Sequence, residues 1–295
     1  MVRSSVGSGR GWRALRRTPV TMWNDDITDY AAALTYYAIL AVLPALLATV
    51  VGFALVSPRA ARDAAAHLAG LVPGQAGDDL GGVLTQALGH GSTGWTLLGA
   101  GTVSALWSCC SYLAVFRRAL HRMHRTTDRR SPLRTAPRIV ATAAVLLVLL
   151  AVSAVVLIVS GPVAEAAGRM LGLGRTGPLV WSVVRWPVLL LVVAALVLIV
   201  FRTGPAPAWR SRAGVPGGAL AAGLWLLFSA GFALYTSVLG TYSRLYGSLA
   251  GTVVFLIWLW LSNLALLAGA QFTAELHRAA AGPSVVTAPE PATRS

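Results

Sequence analysis

Six apolar runs, each long enough to cross a bilayer, constrain this chain more than any other feature. They lie at about residues 29–56, 95–116, 137–160, 178–201, 214–240 and 247–273. A membrane helix needs roughly 20 apolar residues, at about 1.5 Å each, to cross about 30 Å of hydrocarbon. Boundary residues stop several of the runs: Ser57-Pro58, Arg117-Arg118, Gly161-Pro162 and the stretch "RTGPAP". The fold class read from this pattern is all-α: a polytopic membrane protein with six transmembrane helices. Composition agrees, because only 12% of the residues are charged where a soluble domain has about 25%.

The charge sets an orientation. The formal net charge is +14, and all 24 basic residues are arginines. With the N-terminus inside, eighteen of them fall on the inner side, five on the outer side, and Arg185 within the fourth span. Arginine is enriched in cytoplasmic loops, so both termini are expected in the cytoplasm. Residues 1–24 then form a basic cytoplasmic segment, 25–278 the membrane domain, and 279–295 a disordered tail, "AGPSVVTAPEPATRS" at its core. The first outer connection, 58–94, alternates apolar and polar residues around Pro73-Gly74. It reads as two short amphipathic helices on the outer surface. No cleavable signal peptide is visible, and no internal repeat stands out.

Few residues are equipped for catalysis. Cys109 and Cys110 are adjacent within an apolar run, so they read as small apolar filler rather than as a disulfide or a metal pair. His121, His124 and Asp128 share one helical face. Three ligands on one straight helix cannot surround an ion, so a solvated cytoplasmic extension is the plainer reading. No phosphate-binding loop or nucleophile elbow is present, and neither metal nor cofactor is expected. The arginine run from Arg117 to Arg138 carries the basic charge that could hold nucleic acid, yet it lacks interleaved aromatics. Anionic lipid headgroups suit Arg117, Arg118, Arg122 and Arg125 better. Membrane lipids are therefore the expected partners, with other membrane proteins or further copies of the chain beside them, and nucleic acid is not.

Polar groups inside the spans mark candidate pathway or polar-core positions, because each is costly in hydrocarbon. They are Asp29, Tyr36 and Tyr37 in the first span, with Pro44 as a helix breaker. Trp107 and Ser111 mark the second span, and Arg185 beside Pro187 the fourth. Tyr235, Tyr242 and Tyr246 stand around the fifth and sixth, and Asn263, Gln271 and Glu275 along the sixth. The carboxylates Asp25, Asp26 and Asp29 sit where they can cap the first span. Tyr36 and Tyr37 fall roughly level with Gln271 if both spans run straight. Gly251, Ser262 and Gly269 align in one stripe, the pattern of a close helix contact. Asn263 fits either an interhelical hydrogen bond or a polar pathway. A Gly-rich turn is expected over 237–251.

The stretch 216–276 resembles the signature region of the YihY/BrkB family of bacterial inner-membrane proteins. Pro216-Gly217, Ala219, Trp225, Tyr235, Tyr242, Tyr246-Gly247-Ser248, Trp258 and Gly269-Ala270 carry the likeness. "AAALTYYAILAVLPAL" in the first span and "RWP" and "FRTGP" around the fourth extend it to about 20–278. Gln271 stands where the family often has glutamate, and Ala41 where it commonly has serine. The resemblance implies six membrane helices in the inner membrane. Members have been labelled ribonuclease BN and virulence factors, and export of envelope lipid has been suggested for relatives. The expectation that follows is a lipid or amphiphile translocator, with a non-transporting scaffold as the alternative and a nuclease disfavoured.

Overall fold

Hydropathy locates hydrocarbon, and backbone hydrogen bonding then extends each helix past it. A computed structural model describes residues 5–56, 91–126, 132–158, 177–204, 214–238 and 243–281. The helices are α1 (Ser5–Asn24), α2 (Ile27–Val56), α3 (Gly91–Met123), α4 (Pro132–Ile158), α5 (Gly177–Arg202), α6 (Gly214–Val238) and α7 (Ser243–Ala281). Among the described residues no strand occurs.

Five helices have apolar stretches long enough to cross a membrane: Ile27–Thr49, Trp95–Met123, Thr135–Ala154, Pro216–Tyr235 and Gly251–Ala280. α5 is 26 residues long, and its apolar stretch Pro187–Arg202 is shorter. Among the described residues five helices thus have the length and apolar composition of a span, where the sequence pattern suggests six.

One expectation is extended and one corrected. The basic segment is helical over residues 5–24, forming α1, whose Ala14 and Thr18 are buried. Residues 243–251, read as part of a Gly-rich turn, are the opening turns of α7. The proposed surface helices of 58–94 and the tail of 279–295 fall largely outside the described residues.

Packing is hierarchical. α2 and α3 form the most extensive pair, followed by α6 on α7. α7 also packs on α1 and α2, while α4 bridges α3 and α5. The hydrophobic core draws on Ile27, Leu34, Leu113, Phe116, Leu120, Ala143, Val200 and Leu267. These residues lie toward one end of the bundle, called basal here, where α1 meets the start of α2 and the last turns of α7. At the opposite, distal end, large apolar side chains such as Trp95, Val103, Val253 and Phe255 are exposed.

Pro44 sits inside α2, which continues through it to Val56. Its carbonyl faces Gly101 of α3, where an added Cβ would lie 3.2 Å from Pro44 O and 3.5 Å from Ala48 Cβ. Glycine at 101 thus lets the two backbones approach closely.

Candidate functional site

One amide ties three membrane helices together. Asn263 is buried on α7. Its Nδ2 donates to Thr35 Oγ1 of α2 at 3.2 Å and to Leu259 O at 3.0 Å. Its Oδ1 accepts from Tyr112 OH of α3 at 3.0 Å. Thr35 in turn donates to Ala31 O at 2.8 Å. Both amide hydrogens and the amide oxygen are thus engaged, which is the interhelical-bond alternative for Asn263.

The basal end holds a denser set of polar groups. Gln271 is fully buried, and its Nε2 donates to Asp25 Oδ2 at 3.0 Å. Gln271 is therefore level with the start of α2, while Tyr36 and Tyr37 are level with Asn263, whose partner is the adjacent Thr35. The expected level of the tyrosines with Gln271 does not hold, because α7 continues past the start of α2 and brings Asn263, about two turns before Gln271, beside Thr35. Glu275 is buried, with Arg278 Nη2 3.0 Å from its Oε1. That contact is an ion pair; Glu275 Oε1 and Gln271 Oε1 are both buried without a hydrogen-bond partner among the described residues. Arg278 Nη2 also donates to Met123 O at 3.2 Å, linking α7 to the end of α3.

His124 completes this corner. Its Nδ1 lies 2.9 Å from Leu120 O. A carbonyl only accepts, so the ring proton sits on Nδ1 and leaves Nε2 as the lone-pair nitrogen. That Nε2 and His277 Nε2 are buried without hydrogen-bond partners, and the two rings meet edge to face at 6.2 Å. Burial pushes the His124 imidazole below its usual value, against the opposing effect of the Leu120 bond, and the charges of His277, Arg278 and His121 add to the lowering. His121 Nδ1 similarly faces Arg117 O at 2.8 Å. Among the described residues no group of three metal-ligating side chains forms.

Two of the carboxylates at the start of α2, Asp25 and Asp26, bond across the bundle, while Asp29 stands in the first turn, where the helix dipole favours an anion. Asp26 Oδ2 accepts from Arg122 Nη2 of α3 at 2.8 Å. Asp25 holds Gln271, and Asp29 is exposed in the first turn of α2. Asp26 has a φ of 54°; aspartate tolerates this left-handed conformation, which turns the chain between α1 and α2.

Other predicted residues divide between outward and inward faces. Tyr36 is 60% exposed, whereas Tyr37 packs on the core and meets the Tyr36 ring edge at 5.3 Å. Trp107 is 77% exposed on α3. Ser104, Trp107, Ser111, Arg118 and Arg122 recur along one face of that helix, with Ser111 Oγ donating to Trp107 O at 3.0 Å. Arg117 lies on a different, half-buried side, and Arg125 follows the helix with a φ of 49°. Tyr235 is exposed on α6. Arg185 and Tyr246 lie on α5 and α7 with side chains outside the described set, and Tyr242 falls outside the described residues.

The small-residue stripe works inside the molecule. A Cβ on Gly269 would stand 2.6 Å from Ala221 Cβ and would collide with Gly217 O. A Cβ on Gly217 would stand 2.6 Å from Gly269 O and would strike the Thr273 hydroxyl. Gly217 with Ala221 and Gly269 with Thr273 thus form two small-xxx-small pairs that face one another. Farther along, Trp258 Nε1 donates to Ser229 Oγ at 3.2 Å, and Trp225 meets Trp258 edge to face. Ser262 donates within its own helix to Trp258 O, and Gly251 is half-buried. Sequence reasoning missed Gly217, Ala221 and Thr273 as a contact surface, although their spacing of four was there to find.

Comparison with known proteins agrees with this architecture. The family model for virulence factor BrkB matches residues 19–293. A ribonuclease-like protein, YfkH, of Bacillus subtilis (strain 168) is 26% identical over 253 residues, covering 84% of this chain and 89% of the relative. The UPF0761 membrane protein RC1_0578 of Rhodospirillum centenum is 30% identical over 285 residues, covering 94% of this chain and 60% of that relative. A UPF0761 membrane protein of Alkalilimnicola ehrlichii is 40% identical over 97 residues, which is 30% of this chain and 22% of the relative. The chain thus spans less than two thirds of several relatives it matches. No solved structure matches. A match running from the end of α1 to beyond α7 takes in all five helices long and apolar enough to cross a membrane: the chain belongs to the virulence factor BrkB family and is a multi-pass membrane protein.

Proposed function

We propose that this protein is a non-enzymic translocator of a lipid or amphiphile of the cell envelope, with six spans and both termini in the cytoplasm. One observation carries the reading: the exposed face of α3 that bears Ser104, Trp107, Ser111, Arg118 and Arg122. An apolar face suffices for a helix that only meets acyl chains. This face instead runs from serines and an outward tryptophan to a basic end suited to a phosphate headgroup. An amphiphile moving along it would keep a polar partner while its tails stay in lipid.

The scaffold alternative rests on small-residue stripes offered to partner helices. Gly269, the best placed of them, is occupied by Gly217 and Ala221 of the same chain, which weakens that reading. The ribonuclease wording attached to one relative gains little support here, because the Nε2 atoms of His124 and His277 are buried, out of reach of a phosphodiester. The test is transbilayer movement of fluorescent anionic and zwitterionic phospholipids in proteoliposomes. The wild type should move label faster than protein-free vesicles, and W107A or an R118Q variant should slow it severalfold. Wild-type protein that moves no lipid across a broad panel would end the proposal.

A further inference from the structure

α1 has two faces and only one is covered by protein. Ala14 and Thr18 are buried, and Met22 packs on the core; the helix leans chiefly on α7. The Asp25–Gln271 bond fixes its end. On an adjoining side, about a quarter turn round the helix, Trp12, Leu15, Pro19 and Trp23 recur at intervals of three and four residues, and all are exposed. Trp12 is 62% and Trp23 79% exposed. Arg13, Arg16 and Arg17 are exposed beside this stripe, and α1 contains no acidic residue.

We infer that α1 is an in-plane membrane-surface helix that recognises anionic phospholipid headgroups. Three observations select a lipid surface as the occupant. The chain passes from α1 through Asp25 and Asp26 directly into the apolar α2, so the helix starts at the boundary of the hydrocarbon. Tryptophan prefers that boundary, with its ring in the acyl region and its N–H in the headgroup layer. The arginines lie beside the apolar stripe, where their guanidinium groups meet phosphates as the tryptophans sink. A basic residue near an anionic leaflet strengthens attachment about fivefold, and the effect falls with salt. This inference does not depend on translocation, since a scaffold would be anchored in the same way.

Hydrogen exchange on the full-length protein in nanodiscs tests it. Backbone amides of residues 12–23 should exchange at least about fivefold more slowly in phosphatidylglycerol than in phosphatidylcholine. The double variant R16Q/R17Q should abolish that difference while amides of residues 267–275 keep wild-type protection. If the variant fails to fold, wild-type protein at high ionic strength serves instead, and salt should erase most of the difference. Equal exchange in the two lipids overturns the inference. So does a slowing that survives both the substitutions and the salt, because it would mean apolar anchoring without recognition of charge.

Discussion

α7 is one uninterrupted helix with two unlike parts. Residues 267–275 are all buried, whereas Thr252, Val253, Phe255 and Ile257 near the other end are exposed. Hydropathy does not distinguish them; the more apolar part is the exposed one. In lipid, a leucine or phenylalanine gains nothing by leaving acyl chains for another helix. Small residues that let backbones approach, and polar groups that need partners, decide where helices meet. The basal part has Asn263, Gly269, Gln271, Thr273 and Glu275; the distal part has Val253, Phe255, Leu256 and Ile257.

The sharpest way to break this contrast is a methyl group. G269A places a Cβ against Gly217 O and 2.6 Å from Ala221 Cβ, and should lower stability by about 1–3 kcal/mol. G223A and G231A on α6 have nothing within 4 Å of the added Cβ and should leave thermal unfolding in detergent unchanged or slightly raised. Equal losses at all three positions would dissolve the distinction. N263L comes next. It strands Tyr112 OH and costs about 1–2 kcal/mol; adding Y112F should recover part of the loss.

Acidification probes the basal corner alone. The folded His124 holds its proton less tightly than the unfolded chain, whose value is near 6.5. The unfolded state therefore binds the proton first as pH falls. Stability from this residue is full above that value and is lost as pH drops through it toward the lower folded value. H124Q should flatten that part of the pH profile in thermal unfolding. The smallest effect is expected for Arg122 and Asp26, whose side chains are 46% and 57% exposed. D26N should change stability by about 0–1 kcal/mol, less at high salt.

The long apolar helices were legible because hydrocarbon thickness imposes a length that few other constraints imitate. Their ends were less so: α3 carries Arg117, Arg118 and Arg122 as helix, and α7 continues eight residues beyond the expected 273. Hydropathy stops at charge, while backbone hydrogen bonding does not. α1 was hidden because its mean composition is polar, although Trp12, Leu15, Pro19 and Trp23 spell one face. Polar residues within the spans could be picked out singly, but their partners could not. That Gln271 meets Asp25, and Asn263 both Tyr112 and Thr35, depends on which helices are neighbours. Spacing along one chain does not contain that information.

The length of α7 has a mechanical consequence. Its 39 residues make a rod of about 58 Å at 1.5 Å per residue, nearly twice the roughly 30 Å thickness of a bilayer's hydrocarbon. Such a rod is enclosed over residues 267–275, while Thr252, Val253, Phe255 and Ile257 are exposed. When the surrounding bilayer thins, the free length has to lean over, with the Gly269 crossing as its fulcrum. Every degree of that lean arrives as leverage on the short arm that carries Gln271, Glu275 and Arg278.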